Sequence, residues 1–197
     1  MNDKLATLAK KYHSGMMDEH ELSKLGQLLL ATQQDRQPTD YIIEIGSFHG
    51  HTACFLFELM QSCNEILPIL CIDPFERVVP DDKNPQGVYA EFMRNVSEVG
   101  ADQHCYPLVA FSHDCHSIVR DGACLLIVDG DHRYEACKQD LELYVPKVRP
   151  GGFVFIDDFA EVYEGVKRAT EEYFPAHQLN DEGWFAHAQL DREMPGA

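Results

Sequence analysis

From Tyr41 onwards the chain alternates short apolar segments with segments of helix-like periodicity, and this alternation is what most limits the possible folds. The apolar segments read YIIEI, ILPILCID, CYPLVA, CLLIVD and GGFVFIDD. Helices are predicted between and after them, over residues 52–63, 88–100, 115–120, 134–144 and 163–174. Strands that alternate with helices indicate a mainly parallel sheet covered on both faces. Such sheets bind ligands at the carboxyl ends of their strands, where this sequence places its polar clusters.

The two ends of the chain add further elements to this pattern. Leucines at helix-like spacing predict helices over residues 3–32, broken near Ser14 and Gly15. We interpret them as a packing pair in preference to a substrate lid, and Met16 and Met17 in the break are candidates for the edge of a pocket. Apolar segments around residues 177–179 and 184–190 predict two antiparallel strands at the edge of the sheet.

Composition restricts the environment and the partners. A chain of 197 residues with 45% hydrophobic residues is long enough for one domain with a substantial core. The formal net charge of −17 opposes the phosphate neutralisation that nucleic-acid binding requires, so we expect no nucleic-acid partner. No apolar run reaches about eighteen residues and no signal-peptide pattern is present, so we expect no membrane association and a cytoplasmic protein. The seven scattered cysteines predict reduced, mostly buried thiols.

The segment YIIEIGSFHGHT, residues 41–52, has the pattern of a ligand-binding loop between a strand and a helix. Gly46 and Gly50 allow the backbone to approach a bulky ligand, and the helix that follows offers free N–H groups. Together with Glu44, Ser47 and Thr52 they are our candidates for cofactor binding. The GxGxxG fingerprint of dinucleotide sites is absent, and the carboxylate at the strand end suits a cationic amino group on the ligand.

Polar residues after the next two strands extend the predicted cofactor site. Asp73 ends the second apolar segment, where an acid can accept hydrogen bonds from both hydroxyls of a ribose, although before Pro74 it can also organise a turn. Ser112 and His113 follow the third segment, at the position expected for an adenine ring. The loop at residues 79–87, VPDDKNPQG, is predicted to be mobile and could cover a substrate.

Carboxylates close the fourth and fifth strands. Asp129 ends one of them, and Asp157 and Asp158 end the other, so the three can converge on one divalent cation. All-oxygen ligation favours Mg²⁺, Ca²⁺ or Mn²⁺ over Zn²⁺. The alternative is that Asp157 or Asp158 caps the next helix. His132 lies beside this predicted site and is a candidate general base, although a structural role is equally open.

Three segments, EIGSFHGHT, CIDPF and VDGDHRYEACKQDLELYVPKVRPGGFVFIDDF, resemble motifs of class I S-adenosylmethionine-dependent methyltransferases, and the resemblance runs over residues 42–174. The last segment is similar to the small bacterial branch of macrocin-type sugar O-methyltransferases. The resemblance implies S-adenosylmethionine as cofactor, Asp129, Asp157 and Asp158 as ligands of Mg²⁺ or of Mn²⁺ or Ca²⁺, and Asp129 or His132 as the base. Asp129 would also contact the cofactor. His132 and Arg133 depart from the pattern, because the sugar enzymes have a shorter gap before the tyrosine.

The fold expected on this basis is a Rossmann-like, doubly wound α/β sheet of seven mainly parallel strands, the last antiparallel, preceded by helices. We expect a single methyltransferase domain over residues 1–197, with an N-terminal helical segment at 1–38 and the core at 39–197. The predicted reaction is metal-assisted O-methylation of a small-molecule hydroxyl, on a sugar or another natural product.

Three alternatives stay open: a metal-independent methyltransferase with His132 as base, a nicotinamide-dependent oxidoreductase, and a non-catalytic cofactor-binding relative. A serine hydrolase and a P-loop phosphotransferase are excluded because the chain has neither GxSxG nor GxxxxGK[ST]. Oligomeric state is left open.

Overall fold

The computed structural model describes residues 2–13, 16–76 and 87–191, and its centre is a sheet of seven strands. The strands are β1 (Ile42–Ile45), β2 (Ile69–Asp73), β3 (Cys105–Val109), β4 (Ala123–Val128), β5 (Val148–Ile156), β6 (Leu179–Asp181) and β7 (Ala186–Gln189). Their order in the sheet is β3-β2-β1-β4-β5-β7-β6. The first five strands pair in parallel, and β7 runs antiparallel to both β5 and β6. The predicted Rossmann-like sheet with an antiparallel last strand is confirmed.

Helices cover both faces of the sheet. They are α1 (Asn2–Tyr12), α2 (Glu19–Ala31), α3 (His51–Ser62), α4 (Val88–Glu98), α5 (Ser112–Cys115), α6 (Tyr134–Tyr144) and α7 (Glu164–Tyr173). Apolar residues of α1 to α4 share one buried cluster, and those of α6 and α7 share the cluster on the other face. Within the described ranges, no helix combines the length and the apolar character needed to cross a bilayer.

The N-terminal helices form the packing pair that the leucine pattern predicts. All the leucines that define the pattern are buried: Leu5, Leu8, Leu22, Leu25, Leu28 and Leu29. Asp18 caps α2, because its carboxylate accepts hydrogen bonds from the backbone of His20 and Glu21 while the Glu21 carboxylate accepts one from the Asp18 N–H. Met17 is buried and Met16 is exposed, while the helix break at residues 14–15 lies outside the described residues.

Most element boundaries agree with the sequence pattern, and the exceptions have local causes. α6 covers the residues predicted for it. The short helix expected at 115–120 begins earlier, at Ser112, because the extended backbone of Phe111 starts the turn, and it continues as a 3₁₀ turn at His116–Ile118. β6 begins at Leu179, since a turn closed by the Gln178 N–H and the Pro175 carbonyl precedes it. Of the loop predicted at 79–87, only Gly87 lies within the described residues.

None of the cysteines forms a disulfide within the described part of the chain, and all but the partly exposed Cys63 are buried. Burial raises the pKa of Cys54 to about 12 and that of Cys124 to about 11. Such thiols stay protonated at neutral pH, so they act as small apolar core residues.

Candidate active site

The loop after β1 is held tightly between β2 and β4. Gly46 has a φ of +89°, and its N–H donates to the Ile72 carbonyl at 2.9 Å. A Cβ on Gly46 would lie 1.8 Å from the carbonyl oxygen of Asp129. Only glycine fits this junction, which brings the predicted cofactor loop against the end of β4.

The second glycine of the loop begins α3. Gly50 has a φ of +77°, and a Cβ there would lie 2.8 Å from a ring carbon of Phe92 on α4. Among the described residues no side chain caps the start of α3, which leaves its first N–H groups for another acceptor, and Thr52 lies half-buried in this first turn. The first turn of α3 is therefore open to a polar ligand.

Glu44 lies beneath the loop with only 1% of its surface exposed. The Ser47 hydroxyl donates a hydrogen bond of 2.6 Å to its carboxylate. Burial raises the pKa of Glu44 to about 7, and the nearby Asp73 adds to the effect. A cation beside this carboxylate would favour its ionised form, which is the interaction expected with an ammonium group of the ligand. Direct cofactor contact by Glu44 and Ser47 stays a prediction.

Asp73 connects the ends of β1 and β2. Its two carboxylate oxygens accept the backbone N–H groups of Phe48, at 2.8 Å, and of Phe75, at 2.5 Å. Phe48 and Phe75 both have positive φ, of 43° and 52°. Asp73 therefore organises the turn after β2, as the alternative interpretation of the sequence expects. Each oxygen keeps a lone pair for a further donor, so ribose binding remains compatible with this role.

Ser112 and His113 lie at the end of β3, and Ser112 is fixed by a residue that the sequence analysis missed. Its hydroxyl donates to the carboxylate of the buried Asp140 on α6, and the Tyr144 hydroxyl donates to its carbonyl at 2.7 Å. Burial raises the pKa of Asp140 to about 6. The His113 ring is exposed and stacks on the exposed ring of Phe111, with centroids 5.7 Å apart, so a flat apolar surface borders Ser112.

The structure brings together a carboxylate–histidine group at the ends of β4 and β5. Asp129, His132 and Asp158 each offer one ligand atom, and these atoms lie within 4.8 Å of one another. The Nε2 atom of His132 is 2.8 Å from a carboxylate oxygen of Asp158. This hydrogen bond raises the pKa of His132, whereas burial and the neighbouring acids raise that of Asp129 well above its usual value. His132 is thus a member of the candidate metal group as well as a candidate base.

Asp157 is close to this group without belonging to it. Its side chain is 2% exposed, and among the described residues neither carboxylate oxygen has a hydrogen-bond partner. Burial, followed by the charges of Glu21 and Asp158, raises its pKa well above the usual value. A buried carboxylate without a hydrogen bond is costly, and either a proton shared with Glu21 or a cation would compensate it. Glu21 is not predictable as a neighbour of this site, because its place in α2 has the pattern of a helix cap.

His132 and Arg133, which depart from the motif of the sugar O-methyltransferases, make separate contacts. His132 pairs with Asp158, and its ring lies 4.5 Å from that of Tyr163. Arg133 is exposed and binds Asp131 through its Nε, at 2.8 and 3.0 Å. This pairing lowers the pKa of Asp131. The insertion therefore adds an imidazole to the carboxylates without adding an uncompensated positive charge.

The donors present suit a divalent cation. The carboxylates favour Mg²⁺, Mn²⁺ or Ca²⁺, and the imidazole of His132 is a ligand that Mn²⁺ and later transition metals also accept. The unpartnered carboxylate of Asp157 beside them is the kind of buried charge that a cation would compensate.

Comparison with known proteins relates this geometry to a family. A family model described as a methyltransferase domain matches residues 43–159, which contain every candidate site residue. A curated relative, uncharacterized protein R132 of Acanthamoeba polyphaga mimivirus, is 23% identical over 133 residues. That alignment covers 67% of this chain and 57% of the relative, so the chain spans little more than half of the relative's length.

Solved structures share the fold. The O-methyltransferase NovP superposes with a TM-score of 0.73 at 20% identity, over 89% of this chain and 81% of that one. CalS11, described as a TDP-rhamnose 3'-O-methyltransferase of calicheamicin biosynthesis, superposes with a TM-score of 0.61 at 16% identity, over 95% and 92% of the two chains. The chain therefore belongs to the methyltransferase domain family and has the fold of the class I S-adenosylmethionine-dependent methyltransferases.

Proposed function

We propose that the protein transfers a methyl group from S-adenosylmethionine to a hydroxyl group of a small molecule, with assistance from a divalent cation. The observation that carries the proposal is the dual position of Asp129. Its carbonyl meets Gly46 of the cofactor loop, while its carboxylate belongs to the group with His132 and Asp158. A cofactor in the loop and an acceptor at the carboxylates would thus be neighbours.

The cofactor, when bound, supplies an electrophilic methyl group. Glu44 and the loop from Gly46 to Gly50 would hold its methionine part, with Ser47 and Thr52 as polar contacts. Asp73 would accept hydrogen bonds from the ribose hydroxyls, because its oxygens are already oriented by two backbone donors. Ser112 and His113 would border the adenine ring.

The cation, when bound, would favour ionisation of the acceptor hydroxyl. Asp129 and Asp158 would hold it, with the unpartnered Asp157 as the third carboxylate. Mg²⁺ and Mn²⁺ are the candidates we favour, and Ca²⁺ is compatible with the same oxygens.

His132 is the proton acceptor that the geometry supports best. Asp158 binds its Nε2, an arrangement in which a carboxylate orients an imidazole, so the other ring nitrogen can accept a proton. The same pair favours the main alternative, a metal-independent enzyme in which His132 and Asp158 alone perform this step. Asp129 is the second candidate for the base.

The comparisons support a proposal for the class of acceptor. Because NovP is an O-methyltransferase and CalS11 acts on a TDP-linked rhamnose, we infer that the acceptor here is a hydroxyl of a sugar or of another natural product. The free thiols suit a reducing compartment such as the cytoplasm. α1 and α2 share a core cluster with α3, which supports one catalytic unit over residues 1–197.

Calorimetric titration with S-adenosylmethionine, in Mg²⁺ and then in EDTA, tests the cofactor and the cation together. Micromolar binding with methyl transfer that EDTA abolishes is expected, and absent binding would contradict the proposal. His132→Ala should then abolish turnover and leave Mg²⁺ affinity within a few-fold, whereas Arg133→Ala, at an exposed neighbour, should change neither. A His132→Ala variant that loses Mg²⁺ affinity would assign the imidazole to the metal instead.

A further inference from the structure

Three exposed apolar side chains lie on the segments that surround the carboxylate–histidine group. They are Met16, Val162 and Trp184, with exposed fractions of 63%, 70% and 56%. Exposed apolar side chains that lie together often mark binding surfaces. We call these three residues the apolar rim.

Trp184 is placed by the pairing of β5 with β7. The last pair of that ladder is Ile156 with Ala186. Asp158 lies two residues beyond Ile156 and Trp184 lies two residues before Ala186, so both continue past the same end of the sheet. Phe185, which follows Trp184 in the chain, is fully buried and stacks on Phe155. This packing fixes the backbone next to Trp184.

The other two members come from two other segments of the chain. Val162 lies in the turn after Asp158, next to Tyr163, whose ring contacts His132. Met16 lies two residues before Asp18, which caps the helix that carries Glu21 towards Asp157. The apolar rim therefore comes from three separate segments, each of which is close in sequence or in strand pairing to a residue of the carboxylate cluster.

The charges around the site do not suit an anionic acceptor. In the described segments that flank the group, the cations are already engaged by carboxylates: Arg133 by Asp131, Lys24 by Glu182 and Lys167 by Glu161. Asp157 adds a buried carboxylate without a partner, and the chain as a whole has a net charge of −17. From the residues that the structure describes, a diphosphate brought to this surface would meet negative charge and no free pair of N–H donors.

We propose that the acceptor is an uncharged hydroxyl compound with an apolar portion that packs on the apolar rim, chiefly on Trp184, and that nucleotide-diphosphate sugars are not substrates. This inference rests on the proposed methyl transfer and narrows its acceptor. It separates this chain from CalS11, whose described acceptor carries a nucleotide diphosphate. An aromatic side chain suits such a partner because it provides a large apolar surface with little loss of side-chain entropy.

Trp184 is the only tryptophan of the chain, so its fluorescence reports directly on the proposed contact. Protein loaded with S-adenosylhomocysteine and Mg²⁺ is excited at a wavelength that the ligands do not absorb. It is titrated with phenyl β-D-glucoside and hexyl β-D-glucoside, which pair sugar hydroxyls with apolar groups, and with TDP-glucose, which pairs them with a diphosphate. Saturable change with a neutral glucoside and none with TDP-glucose is expected. No saturable change with either glucoside, or saturation by TDP-glucose, would overturn the proposal.

Kinetics with the neutral glucoside that binds completes the test. Trp184→Ala should raise KM for that acceptor about tenfold or more, while Trp184→Phe should recover most of the loss and the affinity for S-adenosylmethionine should stay unchanged. Tyr106→Ala is the matched control, since Tyr106 is a similarly exposed aromatic residue on β3 at the other edge of the sheet. An unchanged KM in Trp184→Ala would overturn the proposal that the acceptor packs on Trp184. Failure to bind S-adenosylmethionine in the calorimetric titration would instead count against the proposed function, so the two failures are distinguishable.

Discussion

The carbonyl oxygen of Asp129 lies 1.8 Å from the point that a Cβ on Gly46 would occupy. This close approach holds the loop after β1 against the residue that ends β4. The two proposed sites, for the cofactor and for the cation, therefore share one rigid junction. A change at Gly46 should disturb both, although Gly46 itself offers no side chain to either ligand.

Gly46→Ala should lower the free energy of unfolding by at least about 3 kcal/mol, because a clash with backbone adds to the strain of a side chain at positive φ. Gly100→Ala is the control, since Gly100 has a φ of +76° and nothing within 4 Å of its Cβ position. It should cost about 1 kcal/mol. Urea unfolding measures both. Equal losses of unfolding free energy in the two variants would show that the close approach of Gly46 to Asp129 does not destabilise Gly46→Ala.

Asp73→Ala should weaken S-adenosylmethionine binding by about 2 kcal/mol, or roughly thirtyfold, because hydrogen bonds to a charged group are lost together with the orientation of the Phe48 N–H. Calorimetric titration gives the affinity, and circular dichroism checks that the fold is kept. Asp102→Ala, at an exposed acid before β3, should bind like the wild type. Wild-type affinity in Asp73→Ala would remove Asp73 from the cofactor site.

Glu44 should make stability depend on pH in the absence of ligand. Its pKa rises from 4.5 to about 7 on folding, so the folded state holds the proton more tightly. The stability that this group contributes is complete below about pH 4.5 and is lost as the pH rises through 7, a change of about 3 kcal/mol. Glu44→Gln should therefore gain stability relative to the wild type between pH 5 and pH 8. Thermal unfolding of both proteins, with the exposed Glu135→Gln as control, measures this gain, and parallel pH curves would contradict it.

The periodic parts of the fold are predictable from the sequence because they depend on local pattern. The buried leucines of α1 and α2, the bounds of α6 and the acid at the end of each central strand all follow from spacing alone. Because the central strands are parallel, Glu44, Asp73 and Asp129 then lie at the carboxyl ends of neighbouring strands.

The contacts that organise the site are not predictable in this way, because each joins residues that are distant in sequence. Asp140 fixes Ser112 from α6, and Glu21 approaches Asp157 from α2. The sequence predicts His132 beside the metal site, but its pairing with Asp158, which has a positive φ, depends on how the ends of β4 and β5 meet. Such partners are selected by tertiary packing.

Asp157 links stability to the proposed cation. In metal-free protein its carboxylate has no hydrogen-bond partner among the described residues, and burial with the charges of Glu21 and Asp158 raises its pKa, so it destabilises the folded state increasingly as the pH rises above the usual range of a carboxyl group. Asp157→Asn removes that charge and should raise the unfolding temperature at pH 7.5 in EDTA by about 3–6 °C, equivalent to about 1–2 kcal/mol. The same variant should lose the stabilisation that Mg²⁺ gives the wild type, because a ligand of the ion is gone.

Asp121→Asn, at an acid whose side chain is 86% exposed, is the control and should keep both the wild-type unfolding temperature and its response to Mg²⁺. If Asp157→Asn were stabilised further by Mg²⁺ to the same extent as the wild type, the carboxylate would have no part in holding the ion, and its burial without a partner would need another explanation.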